Sequence, residues 1–205
     1  MIISTVLFGI ALCLPLGNGQ VTSPGRCPRI PTVRPFNVRR YLGTWFGFER
    51  FFLRGAAGTT CTSPVYSLNR DRSIHVLNRG IVIRTGEATS IEGVGVALNP
   101  RDPARISVRF NPNEPFDPDG NYLVVKTDYV SFAVVYSCDQ NGPFKSETAF
   151  ILRRRPINPS RRLLLKIYSF LRFYGVNPRN FIRTNFRQCL AINAYKRLNQ
   201  ATMNK

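Results

Sequence analysis

The stretch Asn37-Val38-Arg39-Arg40-Tyr41-Leu42-Gly43-Thr44-Trp45 ends on the single tryptophan of a 205-residue chain and opens its first β-rich run. A proline-rich lead, residues 24–35, precedes it. After it, short runs rich in β-branched and aromatic residues alternate with turn residues. Eight runs are predicted as strands: 43–52, 64–68, 74–79, 90–98, 105–110, 122–127, 132–137 and 147–153. Between them lie turn signals: Asn69-Arg70-Asp71, Asn99-Pro100, Asp117-Pro118-Asp119-Gly120 and Asn141-Gly142-Pro143. The fold class read from this pattern is all-β. Eight antiparallel strands can close into a barrel that holds one small ligand. A two-sheet sandwich would show the same spacing.

One segment near the C-terminus has helical spacing instead. Asn158 is predicted as its N-cap, Pro159 suits its first turn and Gly175 ends it. Leu163, Leu164, Ile167, Phe170, Leu171 and Tyr174 share one face. Arg161, Arg162, Lys166 and Arg172 occupy the other, with Leu165 and Phe173 among them. The apolar face suits packing on the sheet. The basic face, with two apolar residues in it, also suits an anionic lipid surface.

Residues 2–16 are nearly all apolar and uncharged, and Gly17-Asn18-Gly19 follows. The run is too short to span a bilayer, so 1–19 reads as a signal peptide cut near Gly19 or Gln20. An uncleaved anchor is the alternative, since no Lys or Arg precedes the run. The expected location is extracellular, with no transmembrane segment in the mature chain. Cleavage removes Cys13 and leaves Cys27, Cys61, Cys138 and Cys189. An even count in a secreted chain reads as two disulfides, and three pairings are open. No Cys-x-x-Cys or His/Cys cluster supports a metal site.

The formal net charge is +18, and it is uneven. Glu147 is the last acidic residue; thirteen basic residues follow it. Such asymmetry points to an anionic partner such as lipid or polysaccharide. Secretion and the lack of a recognition motif argue against nucleic acid. The chain divides into the leader 1–19, a barrel with its flanking helix at 20–190, and a basic tail at 191–205.

Motifs narrow the reading. Gly43-Thr44-Trp45 resembles the Gly-x-Trp that opens the first strand of lipocalins. Thr127-Asp128-Tyr129 resembles that family's second motif, and Arg154 stands where its third motif places an arginine. Tyr41-Leu42-Gly43-x-Trp45, Ile91-Glu92-Gly93 and Val135-Tyr136-Ser137-Cys138 are similar to the apolipoprotein D and insect bilin-binding branch. The resemblance implies an eight-stranded up-and-down β-barrel with a helix outside, and disulfides Cys27–Cys138 and Cys61–Cys189. It implies a structural role for Gly43, Trp45, Thr127, Asp128, Tyr129 and Arg154 at the closed end. It also implies a pocket lined by Tyr66, Asn78, Phe110, Tyr122 and Phe150, for a small lipophile such as a fatty acid, sterol, retinoid or bilin. Phe51-Phe52-Leu53 is expected in a loop at the open end, as an apolar tip.

No catalytic set is expected. His75 is the only histidine, and strand alternation turns it away from Val76 and Asn78. The enzymatic branch of the family uses a free pocket cysteine, whereas the four mature cysteines here are all assigned to disulfides. No cofactor is expected either.

Overall fold

The computed structural model describes residues 21–192 together with Tyr195 and Arg197. The expected leader, 1–19, and most of the expected tail, 191–205, lie outside the described residues. In chain order the elements are β1 (Val21–Pro24), α1 (Val38–Tyr41), β2 (Gly43–Thr44), β3 (Phe46–Arg50), β4 (Thr59–Leu68), β5 (Ile74–Val82), β6 (Ala88–Val96), β7 (Arg105–Arg109), β8 (Tyr122–Thr127), β9 (Phe132–Asn141), β10 (Phe144–Arg153), α2 (Arg161–Phe173), β11 (Ile182–Arg183) and α3 (Phe186–Ala191).

There are eleven strand segments among the described residues, not eight. The first expected strand is cut in two at Trp45, and β1 and β11 add short edges to β10 and β3. The cut closes the barrel. β2 pairs with β4, Gly43 facing Tyr66, while β3 pairs with β10, Arg153 facing Phe46. One run, 43–50, thus hands over from β4 to β10, and the Trp45 amide bonds the Pro64 carbonyl at 2.9 Å. From β4 to β10 every consecutive pair of strands is antiparallel. The sheet is an up-and-down barrel and not a sandwich.

Two apolar layers result. Tyr41, Trp45, Tyr66, Val76, Val124, Val135 and Leu152 form the inner one. The outer layer places Ile167 and Leu171 of α2 in one cluster with Phe48, Val134, Tyr136 and Ile151. Complete burial of a large aliphatic side chain contributes about 1.5–3 kcal/mol, so Ile167 and Leu171 alone hold α2 down firmly. Glu49 adds a polar tie. Its carboxylate accepts from the Tyr168 hydroxyl at 2.7 Å and from Arg183 Nε at 2.8 Å, joining α2 and β11 to β3.

Two local expectations are corrected. The N-cap of α2 is Ser160, not Asn158: its hydroxyl accepts the Leu163 amide at 3.3 Å, so the helix starts two residues later. Phe51 is not an exposed tip. It is fully buried, 4.7 Å from the Phe181 ring, because the chain just past β3 lies under the segment after α2; of the three residues only Phe52 is exposed. The bonds Cys27–Cys138 and Cys61–Cys189 are both present.

Candidate functional site

One end of the barrel is sealed. The Trp45 indole is fully buried and donates its N–H to the Tyr41 carbonyl at 2.8 Å. The Arg154 guanidinium lies 3.7 Å over the indole. It donates to the carbonyls of Tyr129, Thr44 and Arg40 at 3.0, 3.0 and 2.8 Å. Gly43 lies beside it with a φ of +92°. An L side chain is disfavoured at that φ. α1 crosses this end, its first turn capped by Asn37.

The Thr127-Asp128-Tyr129 turn completes the floor. Tyr129 stands at φ +66°, an uncommon backbone for an aromatic residue. Asp128 holds the turn by accepting the amides of Val130, Ser131 and Phe132. Burial pushes its carboxyl up. The Ser131 hydroxyl and those three amides more than offset this and hold it below the usual range.

Above the floor the inner wall is read from the register. Tyr66 faces Val76, Val76 faces Gly93, Asn78 faces Ile91 and Ile106 faces Tyr122. Phe150 packs on the inner layer, and the Phe110 ring lies against Gly93, where a Cβ would meet it at 2.7 Å. All five expected pocket residues therefore share the inner surface. Tyr66 and Tyr122 are in contact, their hydroxyls 2.9 Å apart. Phe110, just past the end of β7, and Ile91 are 41% and 53% exposed, which marks the wider, open end.

Sequence reasoning missed the third member of the tyrosine cluster. Tyr41 sits in α1, outside any strand alternation, yet its hydroxyl bonds that of Tyr122 at 2.8 Å. Burial pushes the Tyr66 hydroxyl up to about 12 and raises Tyr41 and Tyr122 as well, so all three are protonated at neutral pH. Three hydroxyls carry three hydrogens, and two mutual bonds consume two. One donor is left, with no acceptor among the described residues.

Elsewhere, His75 faces outward and meets Glu92 at 3.0 Å. Among the described residues no group of His, Cys, Asp and Glu could hold a metal, and no helix is long and apolar enough to cross a membrane. On the outer face, between α2 and β8, lies an open cleft of about 830 Å³ lined by Lys126, Arg161, Arg162, Leu165, Lys166 and Ser169.

Known proteins share this arrangement. The family described as Lipocalin-like domain matches residues 36–166. Apolipoprotein D of Bos taurus is 33% identical over 154 residues, covering 75% of this chain and 76% of that protein. Apolipoprotein D of Oryctolagus cuniculus is 35% identical over 133 residues, covering 65% of this chain and 68% of that protein. Among solved structures, insecticyanin from Manduca sexta superposes with a TM-score of 0.68 at 20% identity, covering 82% of this chain and 89% of that one. The closed barrel, the Trp45–Arg154 floor and the match over residues 36–166 together place this chain in the lipocalin family.

Proposed function

We propose that the barrel carries a small lipophile that places one hydrogen-bonding group on the tyrosine cluster. The observation that carries this reading is the unclaimed O–H of Tyr41, Tyr66 and Tyr122, on an otherwise apolar inner wall that opens toward Phe110 and Ile91. Each Å² of apolar ligand surface buried there contributes about 25 cal/mol. The polar contact then fixes orientation. Tyr66, Asn78, Phe110, Tyr122 and Phe150 line the pocket in this reading. Fatty acids, sterols, retinoids and bilins are the ligand classes to titrate, followed by Trp45 and tyrosine emission. A panel that changes neither emission nor thermal stability would remove the carrier reading.

Tyr122→Phe tests the cluster. It removes the shared hydroxyl and strands the other two. Affinity for oxygenated ligands should fall about fivefold to tenfold, the value of one neutral hydrogen bond, with little change for a hydrocarbon of equal size. An equal loss for both would contradict the polar role.

A second reading, contact with an anionic bilayer, rests on the outer cleft. Among the described residues no carboxylate forms an ion pair with Lys126, Arg161, Arg162 or Lys166. Leu165 beside them is 49% exposed, and Phe173 at the end of α2 is 82% exposed. Exposed apolar residues among cations suit a membrane better than a polysaccharide. Each cation near such a surface contributes about 1 kcal/mol, so Arg162→Ala with Lys166→Ala should weaken binding to phosphatidylserine vesicles about thirtyfold. Sedimentation with vesicles at low salt reads this. Wild-type protein that stays in the supernatant would refute it.

A further inference from the structure

The open end of the barrel carries a charge that the apolar cup does not explain. Alternation from Trp45 would turn Glu49 inward and Arg50 outward. A bulge reverses them: Leu152 faces Gly47, Ile151 faces Glu49, and Phe48 is the extra residue. Glu49 therefore meets α2 on the outside, and Arg50 faces Phe150 on the inner side. Its guanidinium donates to the carbonyls of Phe51, Ala56 and Thr59 at 3.2, 3.1 and 3.4 Å. These bonds aim it but do not neutralise it. Among the described residues the Nε–H and one Nη1–H have no acceptor, and no carboxylate forms an ion pair with this arginine.

The neighbouring acids are committed or remote. Glu49 is held by Tyr168 and Arg183, and Glu147 by Tyr136 and Lys145. Asp139 is exposed two residues beyond Ser137 on β9, without a bond to Arg50. Burial lowers the Arg50 pKa, with no anion pulling it back up. Charged groups half-removed from water are usually paired.

An independent feature lies next to it. Thr148 alternates with Phe150 and Leu152 on the inner face of β10. It is 8% exposed, and its Oγ1 has no hydrogen-bond partner. The Phe51 amide bonds the Ala149 carbonyl at 2.9 Å, which sets β3 against this part of β10. Arg50 and Thr148 are then diagonal neighbours on one face, roughly 7–8 Å apart at Cα. A carboxylate between them would accept from the free guanidinium N–H groups and from the threonine hydroxyl.

We propose that Arg50 and Thr148 form an anion subsite at the barrel mouth that takes the carboxylate of an amphiphilic ligand. The inference rests on the carrier reading and makes it specific. Four residues along β10 separate Thr148 from Leu152 at the floor, roughly 13 Å at the usual rise. The acyl tail runs down that depth toward the tyrosine cluster, where a second oxygen of the ligand finds its donor. Oxygenated long-chain acids fit both ends.

The test compares palmitate with palmityl alcohol, which share a tail and differ in the head, by Trp45 fluorescence. Wild-type protein should prefer the acid about tenfold, the worth of a charge-assisted hydrogen bond. Arg50→Gln and Thr148→Val should each reduce the acid-to-alcohol ratio, the first to near unity. Arg50→Lys keeps the charge and should retain part of the preference, even if loss of the carbonyl contacts loosens the loop. Circular dichroism confirms that each variant is folded. Equal wild-type binding of acid and alcohol, or a preference that survives Arg50→Gln, overturns the subsite and leaves the carrier reading standing. Binding of neither lipid also overturns the subsite, and the carrier reading falls with it only if the sterols, retinoids and bilins of the panel fail as well.

Discussion

Replacing Arg154 with methionine is expected to lower the free energy of unfolding by about 2–4 kcal/mol, the cost of removing a partly buried guanidinium that bonds four backbone carbonyls. It donates to the carbonyls of Tyr129, Thr44 and Arg40 and lies over the Trp45 indole at 3.7 Å. Each hydrogen bond from a charged donor is worth about 1.5–3 kcal/mol, and the stacked guanidinium adds about 0.5–2 kcal/mol. The cost of desolvating the cation offsets part of that sum. Methionine fills much of the volume but leaves those carbonyls without this donor. Arg154→Lys should recover little, because an ammonium cannot reach α1, β2 and the Tyr129 turn together while lying flat on the ring. Urea denaturation reads the loss. A change under about 1 kcal/mol would mean that the floor is held by something other than this residue.

The contacts of this floor explain why its residues could be read from the sequence. Gly43, Trp45, Tyr129 and Arg154 act through residue type: a positive φ, a large flat ring, a planar five-donor cation. Few other residue types supply those properties, so the motif is visible without knowing the register. The turn dipeptides between strands were legible for the same reason.

What depended on register was not legible. Alternation from Trp45 assigns Glu49 to the cup and Arg50 to the outside. One extra residue, Phe48, exchanges them, and no property of Phe48 announces a bulge. A single inserted residue flips every side chain beyond it. A second irregularity, between Val124 and Lys126, gives Lys126 the register of outward-facing Val134. There its ammonium sits 4.7 Å from the Phe170 ring, beside the cations of α2. Tyr41 was hidden differently. It reaches the tyrosine cluster from a four-residue helix, where no strand period applies. The family resemblance pointed to residues that lie on the inner wall, whereas the polar points proposed to orient a ligand depend on where the strands slip.

Removing the Cys61–Cys189 bond should cost more than removing Cys27–Cys138, although chain entropy alone does not separate them. The bonds span 128 and 111 residues, and loop-closure entropy gives about 5 kcal/mol for each as an upper value. Their surroundings differ. Cys27 and Cys138 are only partly buried and tie the lead to β9 near the barrel end. Cys61 and Cys189 are each 1% exposed and belong to the outer core. Cys189 holds α3 on β4, and α3 in turn sets Phe186 6.0 Å from Phe48 at the bulge that turns Arg50 inward. Cys61 also stands at φ +53°, a left-handed backbone that a β-strand residue adopts only under constraint. Without the bond nothing covalent holds that residue, and α3 loses its anchor. The Cys61→Ser/Cys189→Ser variant should lose about 3–5 kcal/mol and the Cys27→Ser/Cys138→Ser variant about 2–3 kcal/mol. Melting curves of both, compared with reduced wild type, decide the order. Equal losses would mean that the bonds act on the unfolded chain alone. A larger loss for Cys27–Cys138 would place the weak point at the lead and not at the helical cover of the barrel.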